Sequence, residues 1–179
     1  MKGYIHDIDS LNTLNKKLTA DAAAARQEAA ESRRANEALT QKVDQLSGQV
    51  AAGSAIKGRG LNLVAYNASD KSTDRSSRVT YMVATLALVE NEIAEPGAIR
   101  VYVRVKDPNG NLLTNGSSVE FQAAGQTLMA TASREVDYQR QEVELSIYIK
   151  DVGEFVKGIY SVEAYTSKGL IGRSELMLR

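Results

Sequence analysis

Cysteine and tryptophan are absent from the 179 residues, proline occurs twice and histidine once. Without cysteine there is no disulfide, no thiolate nucleophile and no Cys-based metal site. A single histidine, His6, leaves catalytic triads and zinc sites of the usual kinds unassembled. An excess of one charge is missing too: 22 basic side chains face 22 acidic ones. Residues 1–60 carry nine basic and seven acidic side chains, which leaves 13 and 15 for the remainder. No global field therefore draws nucleic acid or an anionic membrane, and no nucleic-acid partner is expected. No apolar run approaches the ~18 residues of a membrane span, and Met1 is followed by no basic-then-apolar leader.

What is present reads as two different texts joined by glycine. In heptads counted from Tyr4, the a positions are Ile8, Asn15, Ala22, Ala29, Asn36, Val43 and Val50. The d positions are Tyr4, Leu11, Leu18, Ala25, Ser32, Leu39 and Leu46. The 4-3 step runs without a stutter, and residues 16–46 are rich in helix formers with neither Gly nor Pro. One long helix is predicted. An apolar seam with nothing else helical in the chain to cover it needs a partner, and a second copy is the simplest one.

Asparagine at an a position favours the in-register parallel dimer, where facing amides bond each other; any other register buries them unpaired. Asp21 with Arg26, and Glu28 with Arg33, fit the g-to-e′ pairs of such a dimer. The expected oligomerisation surface is thus Ile8, Leu11, Asn15, Leu18, Ala22, Ala25, Ala29, Asn36, Leu39, Val43, Leu46 and Val50. The layers around Ala22, Ala25, Ala29 and Ser32 bury little, so a trimer, an antiparallel pair or packing on the rest of the chain remain alternatives. The pattern is already running at Tyr4, so the chain is expected to be cut from a longer protein, whose upstream part could hold a signal or an anchor.

After Val50 the text becomes AAGSAIKGRG, with Gly53 suited to a helix C-terminus and the later glycines to a short mobile joint. From Leu61 the period is two. RVYVRVK sets Val101, Val103 and Val105 on one face, and EVELSIYIK does the same with Val143, Leu145, Ile147 and Ile149. Strands are predicted at 61–67, 79–88, 99–106, 118–123, 127–134, 141–149, 158–166 and 170–178, with DPNGN and TSKG as tight turns. The expected domains are a coiled-coil stem at 1–52, a joint at 53–60 and a head at 61–179. Seven or eight short antiparallel strands in about 120 residues read as an all-β sandwich of the immunoglobulin or fibronectin kind. In GIYSVEAY, Tyr160 is either the tyrosine that bonds back to the preceding corner of such sandwiches or an ordinary cross-strand aromatic.

Residues 86–113, LALVENEIAEPGAIRVYVRVKDPNGNLL, place Glu90, Asn91, Pro96 and Gly97 ahead of a Val-Tyr-Val strand and an Asp-Pro-x-Gly hairpin. This stretch is similar to bacterial envelope proteins of uncharacterised role that have a membrane-anchored coiled-coil stem and a C-terminal β-sandwich head. The resemblance implies an architecture without an activity. It also implies a periplasmic or envelope location, membrane-anchored in the full-length protein, with this chain itself soluble and meeting a membrane only through the missing anchor.

Little else invites chemistry. His6 falls at an f position, outward on the stem. Glu90, Glu92 and Glu95 share one loop, and Glu142 and Glu144 one outward strand face, which is the ordinary solvated state of carboxylates. Asp107, Asn109 and Asn111 echo a calcium loop, but the glycine falls too early, at Gly110, and Ser118 stands where the bidentate glutamate belongs. No enzyme, cofactor or metal is expected. The primary expectation is a structural or interaction protein, a homodimer presenting two sandwich heads as an envelope scaffold, spacer or adaptor. The alternative is a ligand-binding head, for glycan or peptide, that the stem multimerises. Tyr66, Tyr81, Tyr102, Tyr148 and Tyr165 discriminate: clustered on one open face they favour a carbohydrate-type site, scattered they favour the scaffold.

Overall fold

The computed structural model describes residues 2–179, which divide between Val50 and Ala51 into two units. Helix α1 spans Lys2–Gly53, ~78 Å at 1.5 Å per residue. Every residue from Gly3 to Val50 is exposed, the apolar seam included. The hydroxyls of Thr13, Thr19 and Thr40 each donate to the carbonyl four residues back, on Asp9, Asn15 and Asn36.

The second unit is built from β1 (Gly58–Tyr66), β2 (Tyr81–Leu88), β3 (Gly97–Lys106), β4 (Val119–Ala123), β5 (Gln126–Ala130), β6 (Ala132–Tyr138), β7 (Val143–Ile149), β8 (Gly158–Thr166) and β9 (Gly169–Leu178). All pairings are antiparallel. One sheet orders β1-β2-β7, the second β6-β3-β8-β9, and β4-β5 form a separate hairpin. The chain changes sheet between β2 and β3, between β6 and β7, and again between β7 and β8. That three-plus-four crossing pattern is the immunoglobulin-like sandwich expected from the strand count.

The period-two face supplies the core. Val101, Val103, Val105, Leu145, Ile147 and Ile149 are all buried, packed against Leu63, Met82, Leu88 and Val162 from neighbouring strands. Residues 127–134 are not one strand, as expected from sequence, but parts of β5 and β6 that meet at Thr131. The reason is a set of hydrogen bonds: the Thr131 N–H donates to the Val103 carbonyl at 2.8 Å, and its hydroxyl accepts the Val105 N–H at 3.0 Å. That buried hydroxyl takes the ladder position that β6, starting one residue later, does not reach.

The expected mobile joint is shorter and better tied than its glycines suggest. Strand β1 begins at Gly58, so Arg59 and Gly60 belong to the sheet. The Asn91 side-chain amide donates to the carbonyls of Gly53 at 2.7 Å and Ala55 at 3.3 Å, and the Val89 N–H to that of Lys57 at 2.9 Å. The Lys168 ammonium donates to the Ser54 hydroxyl at 3.1 Å. Asn91 thereby satisfies one of the carbonyls that a helix end leaves orphaned.

Tyr160 is the corner tyrosine. Its buried hydroxyl accepts the Val156 N–H at 2.9 Å and donates to the Val156 carbonyl at 3.1 Å, closing the turn into β8. Gly158, two residues earlier, has φ +134°, and a Cβ there would stand 2.6 Å from Pro108, so only glycine fits.

Candidate functional site

Two surfaces remain once the core is satisfied. The first is the stem seam. Ile8, Leu11, Leu18, Leu39, Val43, Leu46 and Val50 are all large exposed hydrophobics. Asn15, Ala22, Ala25, Ala29 and Asn36 lie in the same heptad register and are exposed as well. Asp21, Arg26, Glu28 and Arg33 form no ion pair among the described residues. Two exposed residues missed by reading a and d alone are Ile5 and Leu14. They sit at e and g, and the signal was there, since an apolar side chain beside the seam broadens the stripe.

The second surface is the outer face of the β1-β2-β7 sheet. Cross-strand pairing sets Tyr66 opposite Tyr81, and Val83 opposite both Val64 and Tyr148. The rings of Tyr66 and Tyr81 stack at 5.4 Å, and Tyr81 and Tyr148 meet at 6.2 Å. The Lys150 ammonium lies 5.1 Å from the Tyr81 ring centre and 5.4 Å from that of Tyr148, within cation–π range. The Tyr81 hydroxyl donates to the Asp70 carboxylate at 2.7 Å. That bond, with some desolvation behind it, pushes the Tyr81 pKa up to about 12.

Asp70 is held in place by an asparagine turn, in which the Asn67 side-chain oxygen accepts the N–H groups of Ser69 and Lys71. The connection after β1 thus begins with a built turn that aims a carboxylate at the ring row. Further along the same face, Asn62 and Ser146 flank Thr85, and an Arg59–Glu142 ion pair at 2.6 Å closes the far end.

The five tyrosines therefore divide. Tyr66, Tyr81 and Tyr148 cluster on an open face. Tyr102 and Tyr165 point outward from the other sheet but are covered, because the β4-β5 hairpin lays Phe121 against them at ring distances of 4.2 and 5.7 Å. Period two told which face each tyrosine takes, but not that a hairpin from the same chain would cover one face.

The remaining sequence candidates have structural roles. One Asp107 carboxylate oxygen accepts the N–H groups of Asn109 and Asn111, and the other accepts the Asn111 amide. Partial burial pushes its pKa up, but the hydrogen bonds from Asn111 and Asn109 outweigh this and hold it below the usual value. The calcium-like letters are thus those of a turn cap. Glu90, Glu92 and Glu95 are exposed around the Asn91 clasp, and His6 is exposed on the stem. No group of three or more metal-ligating side chains occurs among the described residues. No helix among them is long and apolar enough to cross a membrane.

Comparison with known families decides the affiliation. Residues 59–179 match the domain of unknown function DUF8428. The chain belongs to that family. Residues 1–44 match a coiled-coil region of unknown function, DUF8429, which agrees with the heptads. No curated protein matches the chain.

Among solved structures, an immunoglobulin-like protein from Pseudomonas aeruginosa is similar at 12% identity and TM-score 0.34, covering 72% of this chain and 99% of its own. An alkylpurine DNA glycosylase from Pseudomonas fluorescens, bound to DNA containing an abasic site analog, aligns at 16% identity and TM-score 0.37 over 69% of this chain. A family 123 glycoside hydrolase from Clostridium perfringens aligns at 12% identity and TM-score 0.35 over 67%. The match spans 30% of that glycosylase and 27% of that hydrolase. These likenesses are loose, and the fold assignment rests on the strand order.

Proposed function

We propose that this chain is a non-enzymatic interaction protein whose stem pairs in parallel with a second copy and so presents two sandwich heads, as a scaffold, spacer or adaptor. The observation that carries the reading is the wholly exposed seam, apolar at a and d and interrupted by Asn15 and Asn36 at a positions. Leaving such a stripe in water forgoes roughly 1.5–3 kcal/mol for each large side chain that a partner would bury. Facing asparagines give the parallel, aligned pair its advantage over other arrangements. Two linked heads would then meet a repetitive target at raised effective concentration. The likeness of residues 86–113 to anchored envelope proteins supports an envelope or periplasmic setting.

The test is absolute mass by light scattering of the whole chain and of a Leu39→Asp, Leu46→Asp variant. The expected outcome is two protomers for the first and one for the second. A monomeric parent chain would overturn the pairing, and a trimer would overturn the stoichiometry.

A second reading, that the head binds a ligand which the stem makes multivalent, is favoured by one specific observation: three tyrosines share an open sheet face. That clustering is the condition under which a carbohydrate-type site is expected.

A further inference from the structure

We propose that the outer face of the β1-β2-β7 sheet binds an extended acidic polysaccharide, with Tyr66, Tyr81 and Tyr148 stacking against sugar rings and Lys150 pairing with a sugar carboxylate. This deepens the ligand-binding reading of the head and stands whether or not the stem pairs.

Four observations converge. First, the three rings form a continuous row on the side of the sheet that faces away from the core, and Tyr148 is 55% exposed. Stacking offers sugars an apolar flank while leaving their hydroxyls free to bond outward. Second, the Lys150 ammonium lies over two of those rings and pairs with no carboxylate among the described residues. A cation held against aromatic faces without an ion-pair partner is complementary to a ligand anion. The Asp70 carboxylate is turned to the Tyr81 hydroxyl and forms no ion pair with Lys150.

Third, the surface continues along the strands as Asn62, Thr85 and Ser146. These are amide and hydroxyl groups that can donate and accept. Alternate residues of a strand lie ~6.6 Å apart, so stacking and hydrogen-bonding positions follow one another in a line, as a polymer requires and a single sugar does not. Fourth, the ring row is pre-formed: the Asn67 turn fixes Asp70, which in turn fixes Tyr81. Little ordering remains for a ligand to impose.

Other occupants fit less well. A protein interface needs an apolar centre with a polar rim, whereas here the apolar part lies at one end and an ion pair closes the other. Single-stranded nucleic acid also stacks on aromatics, but it needs a basic groove to track its backbone. This face offers the Lys150 ammonium beside the rings, while the Arg59 guanidinium at the far end is taken up by Glu142, which makes no continuous basic groove.

The experiment titrates the whole chain with alginate, polygalacturonate and hyaluronan, three polymers with carboxylate sugars. Neutral dextran and oligothymidylate serve as comparisons. Tyrosine emission provides the readout, since there is no tryptophan, and affinity electrophoresis the check. At least one acidic polymer is expected to bind, more weakly as salt rises. Tyr148→Ala should lower that affinity by about tenfold or more. Lys150→Gln should lower it by about fivefold and flatten the salt dependence. Both variants should keep the parent melting temperature, because both side chains lie outside the core.

Silence with all three acidic polymers would overturn the proposal, as would binding that Tyr148→Ala leaves unchanged. Equal, Tyr148-dependent binding of dextran would overturn the acidic class while leaving the head a glycan reader. Preference for oligothymidylate would overturn the carbohydrate reading itself.

Discussion

Leu39 and Leu63 are the same residue in two situations. On the stem, Leu39 belongs to an unbroken heptad pattern and is 61% exposed; in the head, Leu63 belongs to a period-two strand and is 1% exposed. Both are placed by an equally regular pattern, so regularity does not distinguish a core from an interface. What distinguishes them is whether the chain carries a second surface of matching period. The head folds two sheets onto each other and closes its account internally. The stem is one helix whose apolar stripe stays exposed, and the proposed pairing would give that stripe a surface of matching period.

The largest effects should separate the two regions. Val103→Asp places a carboxylate at a fully buried strand position, where an unpaired charge is not tolerated. The head is expected to unfold while far-ultraviolet circular dichroism keeps the helical signal of the stem. Leu39→Asp with Leu46→Asp should do the converse, lowering the solution mass while leaving the head's melting temperature where it was. If either change melts both regions together, the two do not fold independently.

Tyr160→Phe is a subtler cut confined to the head. It removes the hydroxyl that serves both the N–H and the carbonyl of Val156, and it should cost about 1–3 kcal/mol in urea unfolding. Asn36→Val is its counterpart on the stem and should act in the opposite sense. It should raise the stem's thermal stability and let species other than the aligned dimer appear by analytical ultracentrifugation.

The smallest effect concerns pH and belongs to the tyrosine face. The Tyr81 pKa is raised by its bond to Asp70, from an ordinary value near 10 to about 12. The stability this bond supplies is therefore complete below pH ~10. It fades as pH climbs through the folded value. Tyr81→Phe should remove that alkaline component from the unfolding profile without altering the neutral fold.

Most of the architecture could be read directly. Val101, Val103 and Val105 alternate with polar neighbours and turn inward as period two requires, and Asn15 and Asn36 mark the seam whatever covers it. Less legible were features set by long-range partners. The Thr131 hydroxyl breaks what looks like one strand because it meets Val105, 26 residues away. Tyr138, whose buried hydroxyl donates to the Val89 carbonyl at 2.8 Å, ends a strand whose outer face is polar, so nothing local announced it. Asn91 was visible as a loop letter, but its grip on Gly53 and Ala55 depends on the two segments folding together. The open tyrosine face was legible only as a condition, since the covering of Tyr102 and Tyr165 belongs to the Phe121 hairpin.

The two seam asparagines stand 21 positions apart, at 15 and 36, and in the proposed parallel pair they would act together as marks on a ruler. Aligned parallel chains match both marks. A slide by three heptads brings Asn15 against Asn36 and matches one pair, and every other slide matches none. A single mark would detect misalignment but would tolerate no second reading. Two marks admit one false reading, and their spacing decides its cost. At 21 residues that false alignment also strips three of some seven heptads of their partners, so the one error the amides allow carries a heavy cost in the rest of the seam.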